Sequence, residues 1–433
     1  METLTINNFA GLKSVSIDVK PVTGLIGPQA SGKSVIAKLL YFFREVGSLL
    51  PSAVTQELDG TKYKLECLKR FRRYFPIENT GVSDFSIKYT SNSQSITVTF
   101  LTENGSGKSS FELAWTDFYN SVLDKFAIRK KELFGGLGDP EKEVLTATNR
   151  ALRDEMDVEL SSVLGKWAKF EQIFIPAGRA FFSQVRETIF SRLESGERLD
   201  HFMTAFGSIL EQSKSVLETR GFYGPVDGQP PSEVKKYEVL RKILKTIVRA
   251  NLLRIEKQDF LEFEDGRRVR LAQASSGQQE ILPLLLLLAR FSSLSHVRGR
   301  AVYIEEPEAH LFPSTQKLVV ELMARSFRDR SGEMSLVLTT HSPYILTSIN
   351  NLLQAGQLYS SASSETARKL GQIIPKRHVL EPGEVGFYAL ENGSANDIMD
   401  SDTGLINAEV IDAVSGEIAV QFSQLIAEGH EKS

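Results

Sequence analysis

The sequence is poor in cysteine, in net charge and in long apolar runs, and each shortage excludes a class of protein. A single cysteine, Cys67, rules out an internal disulfide and a cysteine-based metal site, and it fits a reducing compartment. The net charge of -3 provides no whole-chain argument for nucleic-acid binding. The most apolar run, residues 281–289, contains Pro283 and is too short to cross a bilayer.

The first residues of the chain have neither a basic segment nor an apolar core of the kind found in signal peptides. We therefore expect a cytoplasmic protein with no membrane partner. With 433 residues, of which 41% are hydrophobic, the chain can bury a large core in two or three domains.

A glycine-containing segment near the N-terminus fits the phosphate-binding pattern G-x-x-x-x-G-K-[ST], known as the P-loop. Its eight residues are Gly27, Pro28, Gln29, Ala30, Ser31, Gly32, Lys33 and Ser34. We predict a buried strand at 22–26 before it and a helix at 35–43 after it. The positive end of a helix dipole favours phosphate. The pattern therefore predicts ATP bound by this loop, with Lys33 at the β- and γ-phosphates and the Ser34 hydroxyl on Mg²⁺.

Two further apolar segments end in polar residues that suit the same site. A predicted strand at 301–304 leads into Glu305 and Glu306. We expect Glu305 to hold Mg²⁺ through water and Glu306 to orient the attacking water. A second predicted strand, 335–340, is followed by His341, which could hydrogen-bond the γ-phosphate. The alternation of strands and helices predicts a mainly parallel sheet with ligands at the carboxyl ends of its strands.

A third polar segment, 274–280, precedes an apolar helix predicted at 281–290. Ser275, Gly277 and Gln278 in it form a candidate anion site at a helix start. A simple helix N-cap explains the same residues, so the segment alone is weak evidence.

The intervening regions are less informative. Residues 52–169 indicate an insertion of helices and hairpins, with strands predicted at 85–89, 95–100 and 111–115. Residues 103–109 imitate a second P-loop, but Thr102 replaces the first glycine and a strand follows, so we predict a hairpin turn. The basic and aromatic stretch 68–75 suits either nucleic-acid stacking or an amphipathic core helix.

Two charged segments each allow two interpretations. The segment 233–257 carries eight Lys and Arg against three Glu, which fits either a solvated helix face or contact with DNA. The region after residue 380 is strongly acidic, which fits a solvated surface or a docking face for a basic partner. Within it, the Asp-x-Asp pair at 400–402 imitates a TOPRIM nuclease motif, and we predict a loop there instead.

The order of P-loop, Ser-Ser-Gly-Gln-Gln, Ile-Glu-Glu-Pro-Glu-Ala-His-Leu and Thr-Thr-His-Ser-Pro resembles the ABC-type ATPases of the SMC, RecF and OLD class. The resemblance covers residues 1–45 and 170–355. It implies an α/β, ABC-type P-loop NTPase core with a mixed, mainly parallel central sheet and a helical segment at about 181–257. It also implies an inserted α+β subdomain at 52–169 and a short acidic C-terminal extension at 356–433.

The same resemblance implies roles for single residues. Ser275 and Gly277 match the family's signature motif, which acts in trans on nucleotide held by Lys33 of a partner subunit. Glu305 stands where most members have aspartate, and residues 309–311 occupy the D-loop position. Arg179 and Gln184 are weak candidates for the Q-loop.

Within that class the chain most resembles the ATPases of PARIS-type anti-phage defence systems, with Septu-type and AbiL-type ATPases as competitors. This implies a homo-oligomer that holds a separately encoded nuclease, of TOPRIM type, until a phage-encoded trigger protein arrives. The chain itself is expected to carry no nuclease domain. Two alternatives stay open: a DNA-repair ATPase of the RecF type, or a scaffold that binds ATP with little turnover.

Overall fold

The computed structural model describes residues 1–76, 84–102, 109–134, 142–183, 200–224, 226–293, 298–329, 332–407 and 420–424. Strands in these residues are β1 Glu2–Phe9, β2 Leu12–Val19, β3 Val22–Ile26, β4 Phe85–Ser91, β5 Gln94–Thr102, β6 Ser109–Trp115, β7 Glu171–Ile175, β8 Asn251–Ile255, β9 Gln258–Glu262, β10 Arg268–Arg270, β11 Arg300–Glu305, β12 Met334–Thr340, β13 Val385–Glu391 and β14 Ser394–Asp397.

The helices pack on the faces of this strand framework. They are α1 Lys33–Ser48, α2 Leu50–Thr55, α3 Gly60–Tyr74, α4 Phe118–Phe134, α5 Lys142–Leu164, α6 His201–Thr219, α7 Pro231–Val248, α8 Ser276–Ser293, α9 Pro313–Arg328, α10 Pro343–Ser361 and α11 Ser364–Ile373. None of the helices within the described ranges is long and apolar enough to span a membrane.

One large sheet organises the fold. Its strand order is β6-β5-β4-β1-β2-β14-β13-β3-β12-β11-β7. The strands β13, β3, β12, β11 and β7 run parallel to one another, whereas β6, β5, β4, β1 and β2 pair antiparallel. The chain therefore has the predicted α/β P-loop fold with a mixed sheet, and its parallel part surrounds the P-loop strand. All five residues of β3 are buried, as expected for a strand covered on both faces.

The strands of the 52–169 segment continue this sheet, because β4 pairs with β1. Strands β5 and β6 pair antiparallel from Thr102 and Ser109 outwards, which fits a hairpin, and residues 103–108 lie outside the described residues. The segment also shares its apolar core with the N-terminal strands: the ring of Phe9 contacts those of Phe71 and Phe85.

Helix α3 decides between the two interpretations of residues 68–75. Phe71 and Tyr74 are buried in the core, and Arg70 pairs with the buried carboxylate of Glu45. The Arg72 guanidinium lies over the ring of Phe111. Because these aromatic rings are buried within the chain, they cannot stack on nucleic acid, and the core-helix interpretation is the correct one.

The C-terminal region differs from the prediction. The expected core boundary at residue 355 omitted β13, which pairs in parallel with the P-loop strand β3 and belongs to the central sheet. The Asp-x-Asp pair lies in a turn, as predicted: Asp400 Oδ1 accepts hydrogen bonds from the backbone N–H groups of Asp402 and Thr403. That carboxylate is therefore engaged in local structure.

The helical segment predicted at about 181–257, between the two halves of the core, ends earlier than expected. The helical segment predicted to about residue 257 ends at α7, and β8 begins at Asn251. Strands β8, β9 and β10 form a separate three-stranded antiparallel sheet, in which an Asp-Gly turn at 265–266 lies between β9 and β10. This small sheet leads the chain into α8.

Candidate functional site

The P-loop connects the buried strand β3 to α1, which begins at Lys33, two residues earlier than predicted. Both glycines of the pattern have positive φ angles, at +153° for Gly27 and +96° for Gly32. A Cβ on Gly27 would lie 2.4 Å from the Leu390 carbonyl oxygen, and one on Gly32 would lie 2.6 Å from Leu12 Cδ2. Because a Cβ would clash at both positions and both have a positive φ angle, both positions require glycine.

The loop is folded around the lysine. Lys33 Nζ donates hydrogen bonds to the carbonyl oxygens of Gly27 at 2.9 Å and Pro28 at 2.6 Å. Burial lowers the pKa of Lys33, and the negative charges of Glu306 and Glu308 act in the opposite direction. The ammonium is thus fixed at the start of α1, where the helix dipole also favours anions.

His341 connects the lysine to the acidic pair. Its Nδ1 lies 3.4 Å from Lys33 Nζ, and its Nε2 lies 3.3 Å from Glu306 Oε1. A charged lysine can only donate, so Nδ1 accepts, and Nε2 carries the proton that faces Glu306. The strands β3, β11 and β12 are neighbours in the sheet, so their carboxyl ends bring these three side chains together.

The two acidic residues at the end of β11 have different surroundings. Glu305 is only 8% exposed, and its Oε2 accepts a hydrogen bond from the backbone N–H of Ala177. Its Oε1 is buried and has no hydrogen-bond partner among the residues that the structure describes. A buried, unsatisfied carboxylate oxygen is costly, and it fits a ligand for Mg²⁺ or for a water on Mg²⁺. Ser34 is exposed in the P-loop, so its hydroxyl is accessible to a cation.

Glu306 adopts a backbone conformation that is uncommon for a side chain of its size. Its φ is +43°, in the left-handed region, while its N–H donates to the Thr339 carbonyl oxygen at 2.9 Å. Such strain costs about 1–3 kcal/mol and is found most often at functional sites. The strained backbone directs the Glu306 carboxylate toward His341.

The predicted signature segment lies at the start of α8. The Ser275 hydroxyl accepts a hydrogen bond from the backbone N–H of Gln278, which is an N-cap contact. The Gln278 side chain accepts from Ser275 N and donates to the Val248 carbonyl oxygen at 2.9 Å. A Cβ on Gly277 would lie 2.7 Å from the His310 carbonyl oxygen, so glycine is needed for the D-loop to pack here.

A cavity of about 530 Å³ opens beside these residues. Its lining includes Arg249, Ser275, Gly277, His310 and Phe312, and Phe312 is 73% exposed. Ser275 and Gly277 are thus brought together with residues 309–311, the predicted D-loop. The predicted contacts of Ser275, Gly277 and Gln278 with nucleotide stay predictions.

A family model described as an AAA ATPase domain, AAA_15, matches residues 1–134 and 136–346. The chain belongs to this family of AAA ATPase domains. ATP hydrolysis is therefore its activity. No curated protein sequence is significantly similar to it.

Several solved structures are similar to this AAA ATPase over most of its length. The SMC head domain from Thermotoga maritima is 12% identical, with 92% of this chain and 97% of that chain covered and a TM-score of 0.34. A RecF–nucleotide complex is 11% identical with the same coverage and a TM-score of 0.32. A dimeric bacterial ABC transporter cassette is 10% identical, also at 92% and 97% coverage, with a TM-score of 0.31.

One Q-loop candidate of the AAA ATPase is misassigned. Arg179 is completely buried, and its guanidinium donates to the carbonyl oxygens of Pro176, Glu305 and Glu306. A guanidinium enclosed in this way cannot reach a nucleotide, so the Q-loop assignment is wrong for this residue. The other candidate, Gln184, lies outside the described residues.

The sequence reasoning missed Glu308. Its Oε1 accepts hydrogen bonds from the Thr340 hydroxyl and from the backbone N–H of His341, both at 2.7 Å. It therefore fixes the residue that connects Lys33 to Glu306. The available signal was a third carboxylate two residues after the acidic pair, in Glu-Glu-Pro-Glu.

Proposed function

We propose that this ATPase holds ATP between two copies of itself, with Lys33 from one copy and the Ser275–Gly277 segment from the other. The observation that carries the proposal is the cavity at the start of α8. Its lining comes from the end of α7, the start of α8, Phe263, the predicted D-loop and the start of α9, with no P-loop residue among those described. A helix start that opens onto the surface is available to a phosphate held by another copy.

In this proposal each side chain has one task. Lys33 places a positive charge at the β- and γ-phosphates, and Glu306 orients the attacking water. His341 donates toward the site from Nε2, and Glu308 holds it in place by accepting a hydrogen bond from its backbone N–H. Ser34 and Glu305 would hold Mg²⁺, which when bound neutralises phosphate charge.

The test is the dependence of ATP turnover on protein concentration. For a site shared between two copies, turnover per chain should rise with concentration and level off once the dimer forms. Light scattering should show a dimer with a non-hydrolysable ATP analogue and a monomer without it. A constant turnover per chain from a protein that stays monomeric would overturn the shared site.

For the biological role, we propose the ATPase of a bacterial anti-phage defence complex that holds a separately encoded TOPRIM-type nuclease and releases it on a phage-encoded trigger. The order of the four motifs supports this proposal through its resemblance to the OLD class. Co-expression with the product of a neighbouring TOPRIM gene should yield a stable complex with suppressed nuclease activity. Strong nuclease activity of this chain alone would contradict the role.

The competing proposal is a RecF-like or SMC-like ATPase that binds DNA directly. One observation favours it: Lys235, Lys242 and Arg249 are exposed on α7 and at its end, and Arg249 lines the cavity beside Ser275. Duplex binding that is stimulated by ATP and weakens steeply with salt would support this role. In that case, replacing Lys235 and Lys242 by Gln should weaken DNA binding and leave ATP turnover unchanged.

A further inference from the structure

Arg179 connects α8, the helix that begins at the predicted signature segment, to β11, the strand that carries the acidic pair. Its guanidinium donates to the carbonyl oxygen of Glu305 at 2.7 Å and to that of Glu306 at 2.9 Å. From the same side chain, Nε donates to the Glu280 carbonyl oxygen at 3.0 Å, and Nη2 lies 3.2 Å from Glu280 Oε1. One buried side chain thus contacts the backbone at the end of β11 and both the backbone and the carboxylate of a residue in α8.

The carboxylate of Glu280 completes the connection. It accepts hydrogen bonds from the backbone N–H groups of Arg179 at 2.9 Å and Ala180 at 2.8 Å. Glu280 is 1% exposed, so both partners of this ion pair are withdrawn from water. The loop after β7 therefore contacts Glu280 of α8 at four points.

We propose that Arg179 is a positioning residue, and that through Glu280 it transmits the docking of nucleotide at Ser275 to the acidic pair of the same chain. The inference rests on the proposed shared site. Ser275 caps α8, and Glu280 lies five residues further along the same helix. A shift of α8 when a partner's ATP reaches Ser275 would move Glu280, and Arg179 would pass the shift to the backbone of Glu305 and Glu306.

The consequence is communication between the two nucleotide sites of a dimer. Nucleotide bound by one copy would engage Ser275 of the other copy and align the acids of that other copy. Hydrolysis at each site would therefore depend on nucleotide at the opposite site. A buried ion pair contributes little stability compared with apolar residues of the same volume, so stability alone is a weak reason for placing one here.

The chain contains a matched control. Arg44 is also almost completely buried and binds a glutamate through two hydrogen bonds, to Glu2 at 2.8 and 2.9 Å. Its other hydrogen-bond partner, Ser335, lies near the start of β12, at the opposite end of that strand from His341. Arg44 thus reproduces the burial and the ion pair of Arg179 without its contacts to the acidic pair.

The experiment compares Arg179→Lys with Arg44→Lys in the full chain with ATP and Mg²⁺. A lysine has a single ammonium and cannot bridge both carbonyl oxygens and the Glu280 carboxylate. For Arg179→Lys we expect kcat to fall about tenfold or more with KM for ATP within about threefold, and an intact dimer with the ATP analogue. Arg44→Lys should retain kcat. Equal effects of the two variants on kcat, or unchanged kcat in Arg179→Lys, would overturn the inference.

Hydrogen exchange in the unmodified chain provides a second test should the lysine variant fold poorly. The amides of Arg179 and Ala180 donate directly to Glu280, so their exchange reports the connection itself. The ATP analogue should slow their exchange in the dimer, and it should leave them unchanged in Ser275→Arg. Unchanged exchange in a wild-type dimer would overturn only this inference. A wild-type chain that never dimerises with the analogue would overturn the proposed shared site and this inference with it.

Discussion

The imidazole of His341 lies 3.3 Å from the carboxylate of Glu306 and is oriented by the Lys33 ammonium on its other side. This contact joins the group assigned to bind phosphate to the group assigned to orient water. Glu306 and His341 directly follow the adjacent strands β11 and β12, and the P-loop places Lys33 beside them from the neighbouring strand β3, so the sheet and the loop together set their spacing.

Replacing Glu306 by Gln should abolish turnover while retaining ATP. The amide keeps the shape of the side chain but removes the charge that orients water, so we expect kcat to fall by about 10²–10³-fold. ATP should then remain bound and hold the dimer together, which gel filtration with labelled ATP would detect. A scaffold with little turnover would barely respond to this change.

His341→Ala should separate binding from hydrolysis. The imidazole contacts both Lys33 and Glu306, but the P-loop backbone still surrounds the phosphates, so we expect kcat to fall about 10²-fold with ATP affinity changed only a few-fold. Steady-state kinetics and nucleotide titration measure the two effects. His201→Ala is the control, because His201 stacks on Tyr74 away from this site. Equal losses of kcat in both variants would remove His341 from the mechanism.

The affinity of the P-loop for ATP should begin to fall at a lower pH than it would if Lys33 had the ordinary pKa of a lysine. Burial lowers the pKa of Lys33 in the free chain from its ordinary value of 10.5, and bound phosphate charge should raise it again. Binding then takes up a proton, so affinity is constant below the lowered pKa and falls as the pH rises from there toward 10.5. Calorimetry in buffers of different ionisation enthalpy should detect that proton, and Lys33→Ala should lose both the proton uptake and about 10²-fold in affinity.

Ser275→Arg should leave ATP binding at Lys33 intact and block hydrolysis. A large cation at the start of α8 excludes a partner's phosphates by size, whereas the P-loop of the same chain is unaffected. The control is Ser363→Arg, since Ser363 caps α11 through the N–H of Thr366 and loses an equivalent cap contact. Binding and turnover assays of both variants decide the matter; full turnover in Ser275→Arg would contradict a shared site.

The local patterns predicted much of the fold and of the site because their physics is local. The P-loop depends on two glycines and a lysine within eight residues, and the acidic pair directly follows a buried strand, so both could be read from the sequence. Arg179 could not: its partners Glu280 and Glu306 are 101 and 127 residues away, and only the folded sheet brings them together. The same holds for β13, whose pairing with β3 joins residues more than 350 positions apart.

The most direct test of the central claim mixes two inactive variants, Lys33→Ala and Ser275→Arg. A mixed dimer contains one intact site, made from Lys33 of the Ser275→Arg chain and Ser275 of the Lys33→Ala chain. With a non-hydrolysable ATP analogue, the mixture should therefore form mixed dimers that each hold one nucleotide, detected by light scattering, while either variant alone stays monomeric. A mixture that stays as monomeric as either variant alone would contradict a nucleotide held between two copies.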